Sequence, residues 1–208
     1  MACTVSDMGQ GLDGLRPETP GYLVLDAGIL YKSIDVDALR ASGSDQVTNA
    51  LLTATRLGAT RGGGEFETGK VIEHVDVDGK IFPIKGMQRI RTYDPVLTVN
   101  LLEISFDNLN DMLGNTDVDS WDAFEEISLS VVVKNDDYID NIAWLGKLAT
   151  TDDPIIFVME NVLNTSSVSL ALEDKNEATI EVSFMGHACP SAAQESPFRI
   201  FYPSSAVS

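Results

Sequence analysis

Hydrophobic and polar residues alternate with a period of two along much of the chain, the spacing of strands that bury one face and wet the other. Tyr22-Leu23-Val24-Leu25 and Ile29-Leu30-Tyr31-Lys32-Ser33-Ile34 flank Asp26-Ala27-Gly28 and predict a hairpin. Glu65-Phe66-Glu67 and Val71-Ile72-Glu73-His74-Val75-Asp76-Val77 lead to Asp78-Gly79, a pair favoured in tight hairpin turns, after which Lys80-Ile81-Phe82 resumes as a strand. Gln88–Tyr93 and Val96–Ile104 predict two more, with Leu97, Val99 and Leu101 on one face and Thr98 and Asn100 on the other. Ile127, Leu129, Val131 and Val133 alternate again and are expected to face a core. Residues 138–148, 155–160, 167–172, 178–186 and 198–202 complete a strand-rich second half.

One helix interrupts the pattern. Ser105 can cap it, Asp107 suits its first turn, Phe106, Leu109 and Leu113 share a face, and Gly114 can end it. Asp117, Asp119 and Asp122 read as an acidic loop after it. Residues 1–20, rich in glycine and proline, read as an N-terminal arm, and residues 204–208 as a C-terminal tail. Residues 37–63 carry no sustained alternation and read as a long loop whose Leu51, Leu52 and Leu57 need a partner surface. The expectation is a mainly β domain over residues 21–203: a sandwich or partial barrel of antiparallel strands with one short flanking helix.

Charge sharpens this picture. The 208 residues carry 14 Lys plus Arg against 32 Asp plus Glu, a net charge of −18. Residues 1–60 hold 7 acids and 4 bases, residues 61–100 hold 6 and 6, and residues 101–208 hold 19 and 4. A surface that grips nucleic-acid phosphates needs the opposite sign. No apolar run approaches the roughly 20 residues of a spanning helix, and the first residues lack the basic start and apolar stretch of a signal peptide, so a soluble chain is expected. Two cysteines, Cys3 and Cys189, make no disulfide scaffold.

Catalytic patterns fail on their own chemistry. Gly64–Lys70 has the spacing of a phosphate-binding loop, but Val71 stands where a magnesium-holding hydroxyl belongs and strand alternation stands where a helix should begin. His74, His187 and the cysteines lack the paired spacings of zinc sites. The segment from Asp117 to Asp122 breaks the calcium-loop pattern at Trp121 and at Asp122, where glycine is required. No nucleophile motif stands out, so neither a catalytic site nor a cofactor is expected.

The segments Leu57–Gly63, Val77-Asp78-Gly79, Pro83-Ile84-Lys85-Gly86 and Leu97–Glu103, followed by Leu172–Ala178, Phe184-Met185-Gly186-His187 and Pro197–Pro203, form an ordered series. That series resembles the major tail proteins, or tail tube proteins, of long-tailed, siphovirus-type bacteriophages. The resemblance covers about residues 57–203. It implies a structural virion protein, made in the host cytoplasm and built into the phage tail. Six-membered rings would stack as a tube through which double-stranded DNA passes without specific binding, an architecture shared with type VI secretion tubes. It implies as partners further copies of the chain, the tape-measure protein, and the tail-terminator and distal tail proteins. The rival expectation is a non-catalytic β-sandwich binding module for a carbohydrate or surface protein, and a metal-dependent enzyme ranks behind both.

Under the tube reading, alternation nominates Glu65, Glu67, Glu73, Thr179, Glu181 and Ser183 for the lumen wall, where negative charge keeps DNA sliding. Leu51, Leu52, Arg56 and Leu57 are nominated for a loop that orders against the next ring. Arg89 and Arg91, in the neutral block, are nominated to pair with acids of a neighbouring subunit.

Overall fold

The computed structural model describes residue 19 and residues 23–41, 45–149, 154–170 and 179–204. The strands are β1 (Val24–Lys32), β2 (Thr55–Arg56), β3 (Thr60–Glu67), β4 (Val71–His74), β5 (Gln88–Thr92), β6 (Val96–Leu101), β7 (Thr116–Trp121), β8 (Phe124–Leu129), β9 (Ile139–Leu148), β10 (Pro154–Asn164), β11 (Ser169–Leu170), β12 (Ile180–Gly186) and β13 (Phe198–Phe201). The helices are α1 (Val36–Arg40), α2 (Gln46–Ala50) and α3 (Phe106–Leu113). The predicted arm, apart from Thr19, the tip Ser42-Gly43-Ser44, the segment Leu172–Ala178 and residues 205–208 of the predicted tail lie outside the described residues.

The fold is mainly β and antiparallel, as the alternation predicts. Nine strands form one curled sheet in the order β2-β1-β9-β10-β12-β6-β3, with β11 also on β12 and β13 also on β10. The long strand β10 joins its two halves. Its first part lies between β9 and β13, and its last residues, Val162 to Asn164, pair with β12. The sheet thereby folds over itself around a core of Leu30, Leu57, Val99, Ile142, Val162, Phe184 and their neighbours. Burying each such side chain contributes about 1.5–3 kcal/mol. The alternation predicted for residues 97–101 holds: Leu97, Val99 and Leu101 are buried, and so are Ile180, Val182 and Phe184 of the adjoining β12.

A second cluster covers the other face of β9 and β10. Ala143, Ile156 and Val158 point away from the first core and meet Ile34, Leu39 and Ala50 from α1, α2 and their approach. The chain reaches this layer through a clasp. Asn141 presents its amide to Ile34 as a strand neighbour would, accepting from the Ile34 N–H at 2.9 Å and donating to its carbonyl at 3.0 Å. Asp35 then caps α1 by accepting from the N–H groups of Asp37 and Ala38. The expected open loop of residues 37–63 is therefore corrected: its described part is two short helices and two strands, packed on their own chain.

Four further expectations change. Asp26-Ala27-Gly28 is no hairpin turn but a bulge inside the continuous strand β1, where three residues oppose Gly146 alone and Gly28 takes φ 69°. Asp78-Gly79 does turn, with φ 81° at Gly79, yet β4 pairs with β5, and residues 80–82 form no strand. The expected acidic loop after α3 is strand β7, paired with β8 in a separate ribbon. Leu129, Val131 and Val133 face no core, and Val131 is 100% exposed. Helix α3 keeps its predicted cap, Ser105, and its stop, Gly114, but buries Asn108 and Met112 rather than Phe106. The Asn108 amide earns that place by donating to the Leu57 carbonyl at 2.8 Å, which also ties Leu57 into the core.

Candidate functional site

Strands β3, β6, β12 and β11 lie side by side, and their pleats place every second residue on the face turned away from the core. Three rows cross that face. Glu67 of β3 stands beside Val96 and Met185; Glu65 stands beside Thr98 and Ser183; Asn100 stands beside Glu181 and Ser169. The Thr98 and Ser183 hydroxyls hydrogen-bond across the strands at 3.0 Å, and the Ser183 N–H donates to the Ser166 hydroxyl at 2.9 Å. These in-register positions carry three glutamates and no lysine or arginine. The three glutamates are exposed, whereas the residues between them, Phe66, Ile180, Val182 and Phe184, turn inward.

Of the residues nominated for a lumen wall, the structure brings together Glu65, Glu67, Glu181 and Ser183, with half-buried Thr179 one residue before β12. Sequence reasoning missed Thr98, Asn100 and Ser169 as members of the face. The signal was present in the alternation of residues 96–101, but not the pairing that sets β6 between β3 and β12. Glu73 is not brought to that face: it lies on β4, outside the nine-stranded sheet, and its carboxylate meets the Arg89 guanidinium at 2.8 Å.

The same contact gives Arg89 a partner in its own chain, exposed to solvent, where such pairs contribute little. Arg91 makes no ion pair among the described residues. Of the nominated stacking residues, Leu57 is 1% exposed in the first core and Leu51 packs against the second. Both have partners already. Arg56 sits on β2 with its guanidinium 5.9 Å from the centre of the Tyr31 ring. Leu52 is 77% exposed and remains without cover in the single chain.

The phosphate-loop spacing resolves into strand and turn. Gly64 to Glu67 are extended in β3 beside β6, and Gly69 turns with φ 55° before β4, so no helix follows the glycines as a phosphate-binding loop requires. His187 and Cys189 hold no shared ligand geometry: the His187 ring contacts the Asn161 carbonyl and the edge of Tyr138. Among the described residues, no group of three His, Cys, Asp or Glu side chains is placed to hold a metal ion, and no helix is long and apolar enough to cross a membrane.

Between the two halves of the sheet lies an apolar cavity of about 320 Å³, lined by Leu30, Phe66, Leu97, Trp144 and Phe157 among others. It opens where the bulge of β1 faces a second bulge, residues 61–63 of β3. On the flank of the fold, Lys32 reaches from β1 to Asp111 of α3 at 2.5 Å, and burial still pushes the Asp111 carboxyl above the ordinary carboxylate range.

Neither a family model nor a curated protein matches the chain.

Proposed function

We propose that this chain is the repeating subunit of a tube, built as stacked rings of six copies, whose bore is lined by the polar face of β3, β6, β12 and β11 and carries double-stranded DNA. The observation that carries the reading is the face itself. Glutamates 65 and 181 stand there with hydroxyl and amide neighbours and Glu67 stands at one end of the face, over β6 and β12, whose opposite side is buried. Duplex DNA carries one negative charge about every 1.7 Å, so a wall without bases offers no counter-charge to hold it. Strand β3 ends the sheet with an outer edge that no strand among the described residues pairs. Pairing such edges around a closed ring would satisfy their backbone groups and remove a site of uncontrolled aggregation. The ordered resemblance described above supplies the ring number and the cargo.

Negative-stain microscopy of concentrated protein tests the reading: rings or tubes about one DNA duplex wide inside are expected, and dispersed single copies at every concentration would count against it. In tubes that do form, Glu65→Lys with Glu181→Lys should leave assembly intact and make the bore retain duplex DNA in a salt-dependent way.

A further inference from the structure

Protein cores leave few voids larger than a water molecule, because facing side chains interdigitate. The cavity of about 320 Å³ between the two halves of the sheet departs from that rule, and glycines account for it. Gly28, Gly63 and Gly64 line it at the bulges of β1 and β3 or beside them, and there the wall is backbone in place of side chains. The Trp144 indole also lies against bare backbone. A Cβ placed on Gly28 would stand 2.5 Å from its ring and one placed on Gly146 2.0 Å, so a side chain at either position would displace it. Its ring meets Phe157 at 5.5 Å between centres, and Phe157 meets Phe66 at 5.8 Å, which gives the cavity one continuous aromatic wall.

The chemistry inside is uniform. No lining side chain is charged, Thr60 supplies the single hydroxyl, and Leu30, Leu97, Val99, Ile142 and Met159 are among the rest. A water held there would need about two to four polar partners, which these side chains do not offer. An engineered apolar cavity of about 150 Å³ stays dry and takes benzene. The present one is larger, within the range of small-molecule sites, and it opens to solvent between the two bulges.

We infer that the cavity is a binding site for a small, neutral, aromatic molecule of one or two rings, which enters between the bulges and lies against Trp144 and Phe157. Edge-to-face contact with those rings favours an aromatic guest, and a wall without charge or counter-charge turns ions away. The site belongs to the single chain and does not depend on the tube reading.

The chain has two tryptophans, and Trp121 is exposed on the β7–β8 ribbon, so Trp121→Phe leaves Trp144 as the reporter. Bromobenzene, whose bromine quenches indole emission on contact, is the probe. Quenching should be saturable, with a Kd below about 1 mM, and should come with a rise in melting temperature, because a ligand held by the folded state alone stabilises it. Filling the space should remove both effects. Leu97→Phe enlarges a buried side chain on the wall, and Val24→Phe enlarges one that is 46% exposed, where folding is not at stake. Each should weaken binding at least about tenfold while the circular dichroism stays that of the parent. If Leu97→Phe does not fold, Val24→Phe decides. Quenching that rises linearly up to the solubility limit of the probe, as random collision gives, overturns the site. Saturable quenching that no folded filling variant weakens also overturns it, and would place the probe on the exposed apolar ribbons instead.

Discussion

Strand β10 and the segment from Ile127 to Val133 look alike as text, both runs of β-branched and aliphatic residues, yet they meet opposite fates. In β10, Ile156 and Val158 are covered by α1 and α2 while Met159 is covered by the other half of the sheet. Along residues 127–133 nothing comparable arrives, and Leu129, Val131, Val132 and Val133 stay exposed. Apolar alternation states which side of a strand avoids water; it does not state what will cover that side. In a chain of net charge −18, a continuous exposed apolar stretch is the exception that calls for a partner.

Three variants sharpen that contrast. Phe184→Ala, in the covered region, removes a fully buried ring and should cost about 3–5 kcal/mol in urea unfolding, enough to leave little folded monomer. Asn141→Ala should cost about 2–3 kcal/mol, because it orphans the Ile34 amide and carbonyl together. Its hydrogen-exchange signature should be local, with protection lost across α1 and α2 before β12. In the uncovered region, Val131→Ser with Phe124→Ser should change monomer stability by no more than about 0.5 kcal/mol while reducing assembly in sedimentation. A large stability loss there would erase the distinction between the two regions.

What the sequence disclosed follows the same line. Strands with a clean period of two, such as residues 96–101 and 180–186, could be read with their inward faces correct, and α3 announced itself by Ser105 and Gly114. The polar face was legible in part, because Glu65, Phe66 and Glu67 show which way each side chain points. What assembles that face is pairing between β3, β6 and β12, strands more than 100 residues apart at the extremes, which no local pattern contains. The bulge at Asp26-Ala27-Gly28 looked like a turn because glycine with positive φ serves either purpose. Helices α1 and α2, five residues each, are too short to display a helical period, and of the two only α1 has a side-chain cap, Asp35, at its start. The destination of Leu57 was hidden for another reason: it depends on Asn108, a polar residue whose burial is unexpected until its acceptor is known.

The small second layer formed by α1 and α2 has a consequence for how the molecule can grow. On that side the main sheet is roofed and cannot stack a further layer, while on the far side of the first core the strands offer hydroxyls, amides and carboxylates to water. Two five-residue helices thus give the subunit a back and a front, so that copies placed side by side can agree on which way to look.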